Sequence, residues 1–187
     1  RKKNQIPLGA HYYLLSIEAY EKSETYLKVP MGLNDLASLF CEYGNPSRGK
    51  EFLLKALHYY DEGQPLADTT QHELLFLLYN NLGWVYSDNH QMDSAIYFYE
   101  RSLQIPVYNA KTLPLKSCVN THIAHEYIQA GDLEKATHYM SIADSMLKAM
   151  DETHPCFHFK QGMLLGKMGV FESSLEQLDL ANQLLHE

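Results

Sequence analysis

Cysteine is scarce in this chain, and so are proline, glycine, positive charge and long apolar runs. The three cysteines, Cys41, Cys118 and Cys156, stand far apart in 187 residues. So odd and sparse a set is no disulfide framework, and each is read as a reduced, buried thiol. The longest apolar run, Leu74 to Tyr79, stops far short of the roughly 20 residues that cross a bilayer, so no membrane insertion is expected. The first residue is Arg1 rather than Met, and the expectation is a chain truncated at its N-terminus. Lysine plus arginine number 15 against 23 acids, a net charge of −8. That balance repels phosphate backbones and weighs against nucleic-acid binding by this segment. Val and Ile together occur 12 times against 28 Leu. Leu keeps its rotamer freedom in a helix where β-branched residues lose theirs, so what is abundant points to helix.

The helical stretches repeat. From Gly83 the offsets are +3 to Tyr86, +12 to Ala95, +16 to Tyr99 and +19 to Ser102. The same offsets from Ala124 reach Tyr127, Ala136, Met140 and Ala143; from Gly162 they reach Leu165, Ser174, Leu178 and Ala181. From Ala37 they reach Phe40, Gly49, Leu53 and Ala56. Small residues 12 apart, with a turn between them, let two antiparallel helices approach closely at one crossing. Turn signals fall between them each time: Gly44-Asn45-Pro46, Asp88-Asn89-His90, Gly131-Asp132 and Gly169. The large +3 and +16 side chains fill the space around the crossing. Each hairpin hides only part of its apolar face, so hairpins must stack.

The run Tyr79-x-x-Leu82-Gly83-x-x-Tyr86, followed by Ala95, Tyr99, Ser102 and Pro106, resembles a tetratricopeptide repeat. Ile123-Ala124-x-x-Tyr127 with Gly131, Ala136 and Ala143 resembles a second copy, and the copies around Ala37 and Gly162 are degenerate. The resemblance implies an all-α fold, a right-handed α-α superhelix of stacked antiparallel helix hairpins in one domain over residues 1–187. Hairpins are expected at about 30–63, 70–109, 117–150 and 155–187. Residues 8–28 are expected to form an N-terminal helix, either the second half of a repeat truncated before Arg1 or a capping helix. The +12 residues Gly49, Ala95, Ala136 and Ser174 lie 46, 41 and 38 apart, more than the family's period of about 34. Gly63-Gln64-Pro65 breaks the chain, Thr70-x-x-Glu73 reads as a capping box, and Thr153 before Pro155 as an N-cap. Repeats this long and uneven resemble the sensor modules of bacterial tetratricopeptide regulators, which implies a part in a larger bacterial signalling or regulatory protein.

Signals for catalysis or metal are weak. His122 and His125 stand at i, i+3, and His154, Cys156 and His158 cluster about one turn. Zinc needs three or four converging ligands, and neither His-Glu-x-x-His nor paired Cys-x-x-Cys is present, so no metal and no cofactor are expected. No Gly-x-Ser-x-Gly elbow or P-loop occurs either. The neighbouring carboxylates Asp61-Glu62 and Asp151-Glu152 would point apart on a helix, so no acid/base pair is at hand. The chain is read as non-catalytic.

If Leu82, Gly83 and Tyr86 face their partner helix, Asn80, Trp84 and Asp88 form a separate stripe at i, i+4 and i+8. Its equivalents are Asn34, Ser38 and Glu42; Thr121, His125 and Gln129; Phe159, Met163 and Lys167. In the family this side of the first helices lines a concave groove. The resemblance thus implies that Asn34, Ser38, Asn80, Trp84, Asp88, Thr121, His125, Gln129, Phe159 and Met163 contact a partner. A polar stripe with Trp84, Phe159 and Met163 as apolar anchors suits an extended or helical peptide. Packing of Trp84 between helices is the competing placement. A carboxylate clamp is not supported, because His122 stands where that pattern wants Arg. The chain is therefore read as a protein- or peptide-binding module, cytoplasmic by its reduced cysteines. The alternatives are a structural homo-oligomerisation module, making a homodimer through its Tyr-rich faces, and a regulatory fragment of an enzyme.

Overall fold

At residues 8–23, 28–60, 69–106, 112–150 and 155–186, where the computed structural model describes the chain, the Leu-rich stretches are helical and no strand occurs. Helix α1 spans Leu8–Lys22, α2 Val29–Glu42, α3 Pro46–Leu57, α4 Thr69–Asp88 and α5 Met92–Gln104. Helix α6 spans Thr112–Ala130, α7 Leu133–Met150, α8 Pro155–Lys167 and α9 Phe171–Leu184. The helices gather into two compact units, Arg1–Val107 and Tyr108–Glu187. In the first, α1 packs on α2, α2 on α3, α3 on α4 and α4 on α5, and α2 also touches α4. In the second, α6 pairs with α7 and α8 with α9, while α8 packs on both α6 and α7. The fold is all-α and built of helical hairpins, as the sequence pattern requires. Helix α4 already runs at Thr69, which puts Thr70 inside the helix rather than at its cap. Gly63-Gln64-Pro65 and Thr153 lie outside the described residues.

One backbone turn closes all four hairpins. Gly44, His90, Gly131 and Gly169 have φ of 75°, 56°, 79° and 80°. Each donates its N–H to the carbonyl three residues back, and the following residue donates to the carbonyl five back. In the first turn these bonds are Gly44 to Cys41 at 2.9 Å and Asn45 to Phe40 at 2.8 Å. Such a Schellman closure satisfies carbonyls that a helix end leaves open, and it needs a left-handed residue that glycine adopts without strain. The acceptors five back are Phe40, Tyr86, Tyr127 and Leu165, the +3 residues of the sequence pattern. The N–H groups of Gly49, Ala95, Ala136 and Ser174, the +12 residues, then bond back four residues to open each second helix. The sequence period is thus also a period of backbone hydrogen bonds.

Side-chain size at each crossing follows from the distance between the helices. A Cβ at Gly83 would stand 2.5 Å from Cδ1 of the Tyr99 ring, and one at Gly162 would stand 2.8 Å from Cγ of Leu178. At Gly49, Cys41 Sγ already occupies the place of a methyl group, which accounts for glycine where the family has alanine. Ser174 reaches across its crossing instead: its hydroxyl donates to the Gly162 carbonyl at 2.8 Å, beside the space Gly166 leaves open. The +19 residues Ala56, Ser102, Ala143 and Ala181 are all buried. Leu33, Leu36, Leu53, Leu78, Leu82 and Val85 form the centre of the first core. Ile128, Met140, Leu147, Phe157 and Leu164 belong to the second.

A further position, at +15, was not evident from the spacing. It stacks an aromatic ring on the +3 ring in three hairpins: Phe40 on Phe52, Tyr86 on Phe98 and Tyr127 on Tyr139, with centroids 5.4, 5.2 and 5.8 Å apart. Offset aromatic pairs contribute about 0.5–1.5 kcal/mol beyond the area they bury. In the fourth hairpin +15 is Gln177, whose Oε1 lies 2.7 Å from His158 Nδ1.

The Gly83 contact gives a decisive test. Gly83→Ala gains about 1 kcal/mol of helix propensity. The added methyl nevertheless meets the face of a Tyr99 ring that is only 1% exposed and cannot swing away. Net destabilisation of about 1–3 kcal/mol is expected from overpacking, measured by urea denaturation.

Candidate functional site

The face that the sequence assigns to partner binding is carried in the first unit by α2 and α4, which lie side by side. Between them is a cleft of about 400 Å³. Helix α2 supplies Ala37, Ser38, Cys41 and Glu42, helix α4 supplies Asn81, Trp84 and Val85, and Leu53 of α3 completes the lining. Leu53 and Val85 are fully buried, whereas Trp84 is 42% exposed, so an apolar interior opens beneath an accessible indole. Beside the cleft, the Asn81 amide donates to Asn34 Oδ1 at 2.9 Å and ties α4 to α2. The Asn80 amide donates to Asn81 Oδ1 at 3.4 Å, and Asn80 Oδ1 is buried with no hydrogen-bond partner among the described residues. Ser38 donates to the Asn34 carbonyl at 3.1 Å. Glu42 ends α2 and Asp88 ends α4, both exposed. Burial, then the charges of Asp88 and Glu42, push the Cys41 thiol up to about 11. Among these carboxylates Cys41 is therefore a thiol at neutral pH and a poor nucleophile.

In the second unit the corresponding residues lie on α6 and α8. Phe159 is 47% exposed, Gln129 is exposed, and His125 and Met163 are half-buried. His125 Nδ1 is buried without a hydrogen-bond partner among the described residues. Burial, then the Lys160 charge, lower its imidazole to about 4. A neutral ring follows, since protonation would place a charge in a dry site beside a lysine. No group of three metal-ligating side chains occurs among the described residues. His154 and the Cys156 side chain lie outside them, and His158 is engaged with Gln177.

Two of the ten expected contact residues are placed otherwise. Asn34 is 8% exposed and Thr121 1% exposed; the first is held by Asn81 and the second donates to the Ser117 carbonyl at 2.9 Å. Helical phase explains both. Steps of four residues advance about 40° around the axis, so an i, i+4, i+8 stripe turns by about 80° along its length. Its first member rotates into the neighbouring helix and its last into solvent: Asn34, Ser38 and Glu42 run from buried to exposed, and so do Thr121, His125 and Gln129. The stripe omitted Cys41, Leu53, Asn81 and Val85, which line the cleft through its sides. The small residue at Gly49 was the available sign of Cys41, since glycine there leaves room for a larger neighbour.

The depressed His125 value has a pH consequence. The unfolded imidazole takes its proton near pH 6.5 and the folded one near 4, so below 6.5 the unfolded state binds more protons. The contribution is complete above pH 6.5, declines as pH falls, and is lost by about 4. Relative to His125→Asn, the natural chain should lose up to about 1–2 kcal/mol between these limits, a value discounted for partial exposure. Denaturation curves of both chains across that range measure it.

No family model matches the sequence, and no curated protein matches it. Similarity appears in three dimensions. The crystal structure of MamA superposes with a TM-score of 0.59 at 17% identity, over 96% of this chain and 95% of that one. MamA from AMB-1 gives 0.51 at 18% identity, over 95% and 92%. PilF of Pseudomonas aeruginosa gives 0.55 at 15% identity, over 94% of this chain and 76% of that one. MamA and PilF are tetratricopeptide-repeat proteins, and at these identities the likeness establishes the fold.

Proposed function

With a tetratricopeptide-repeat fold as the premise, we propose that this chain is a non-catalytic module that binds a peptide segment of a partner protein. The observation that carries this is the α2–α4 cleft: an apolar interior about 400 Å³ in size beside the half-exposed Trp84. A preformed groove with one aromatic anchor and a polar rim is the common form of peptide-recognition sites. Ser38, Asn80 and Asp88 supply rim groups in the first unit, and His125, Gln129, Phe159 and Met163 offer a second such surface on α6 and α8. The long, uneven repeats support a place in a larger bacterial signalling or regulatory protein. The sparse cysteines support a reducing, cytoplasmic setting.

Trp84 is the single tryptophan of the chain, so its emission reports on this cleft alone. Dodecapeptides selected from a random phage-displayed pool should shift that emission on binding. Trp84→Ala should weaken the selected peptides by about 2 kcal/mol or more, because buried aromatic anchors dominate such contacts. The same change should lower stability by only about 1–2 kcal/mol, less than the 3–5 of a core tryptophan, since the indole is already partly in water. A core-sized loss of stability would place Trp84 in packing rather than recognition.

A second reading has its own observation. Leu8, Tyr12 and Leu15 stand at i, i+4 and i+7 on α1 and are 70%, 60% and 47% exposed, one apolar face largely open to solvent. A homodimer through α1 would cover it. Sedimentation should then show a concentration-dependent dimer that Tyr12→Glu dissociates; a monomer up to about 100 µM, a load well above typical dimer dissociation constants, removes this reading.

A further inference from the structure

Three carboxylates of the first unit are ion-paired. Glu18 pairs with Lys22 at 2.6 Å, Glu51 with Arg48 at 2.8 Å and Glu21 with Lys55 at 3.4 Å. Glu42 and Asp88 have no ion pair or hydrogen bond among the described residues. They are also the terminal residues of α2 and α4, the two helices that form the cleft. Helix C-termini carry partial negative charge and favour cations, so two acids there work against the helices that hold them. Both act on the cleft itself: Glu42 lines it, and the Asp88 charge reaches the Cys41 thiol within it. No lysine or arginine among the described residues lines the cleft. Besides Glu42, the wall has Ser38 and Asn81 as uncharged polar groups, while Ala37, Leu53 and Val85 are apolar and the indole of Trp84 borders them. One carboxylate in the wall, a second at the end of the helix that carries Trp84, and an aromatic surface thus lie about one largely apolar slot, an arrangement that fits a cation on a hydrocarbon stem.

We propose that the α2–α4 cleft receives one lysine or arginine side chain of the bound peptide, its stem against Trp84 and its charged head between Glu42 and Asp88. This assignment rests on the peptide-binding reading above and specifies the chemistry of its ligand. The acids have no partner among the described residues, and their counterion arrives with the bound peptide. An acidic side chain is repelled, and an apolar one leaves both carboxylates without a partner.

Random dodecapeptides displayed on phage, selected on the intact chain, should converge on a fixed Lys or Arg. In synthetic copies, replacing that residue with Gln should weaken binding about tenfold or more, and raising salt should weaken it progressively. Glu42→Gln/Asp88→Asn should bind the natural selection about tenfold more weakly and no longer distinguish Arg from Gln. Its thermal stability should hold or rise, since the helix ends lose unfavourable charge. Its Cys41 should alkylate faster, because two charges that disfavour the thiolate are gone. Glu42→Lys should turn the preference toward acidic peptides. Selected peptides that need Trp84 but carry no fixed base, or whose Arg preference survives Glu42→Gln/Asp88→Asn, overturn the charge assignment and leave peptide binding standing. No enrichment at all, or binding indifferent to Trp84→Ala, overturns both.

Discussion

The closeness of two helices at one point governs each hairpin. Gly83 lets the Tyr99 ring lie against the α4 backbone, and Gly162 does the same for Leu178 on α8. Each approach is possible only if the chain reverses tightly, which the Schellman turns at Gly44, His90, Gly131 and Gly169 provide. The turn fixes the register of the second helix on the first, and register brings the +12, +15, +16 and +19 side chains to the positions they fill. A methyl group at Gly83 or Gly162 would press on all of these contacts together, and at every crossing the residues stay small while the large ones vary among Leu, Tyr and Met.

That constraint also decides what could be read without coordinates. Small residues at a crossing are conspicuous because little else fits, so fold class and turn positions were legible from offsets alone. The +15 rings were missed for the opposite reason: Phe52, Phe98 and Tyr139 are individually unremarkable aromatics, and their pairing with +3 becomes visible only when the hairpin closes. On the candidate binding face, periodicity picked out Trp84, which is 42% exposed, but treated a helical stripe as straight. The rotation of about 80° over eight residues carried Asn34 and Thr121 out of reach. Cys41 and Leu53 line the cleft from positions assigned to the hairpin interior, because a slot between helices borrows its walls from both the face and the core.

The degenerate first copy is an example of compensation rather than decay. Glycine at 49 and cysteine at 41 exchange volume across one crossing, so the backbone distance is kept while the sequence signature blurs. The exchange leaves a sulfur atom in the wall of the α2–α4 cleft, and burial, then the charges of Asp88 and Glu42, keep it protonated. A departure from the repeat pattern has in this way become part of the wall of this cleft.

The identical turns carry a kinetic meaning as well. The repeat positions of a hairpin lie within 19 residues of one another, from Ala37 to Ala56 and from Gly83 to Ser102, and even the Ser117–Ala143 bond farther from the turn spans only 26. Loops this short cost little entropy to close, and the cost is nearly the same for each hairpin. Nascent chain leaving a ribosome can therefore complete one hairpin before the next is made. His90, the one non-glycine residue at positive φ among those described, marks where this early closure meets the most backbone resistance.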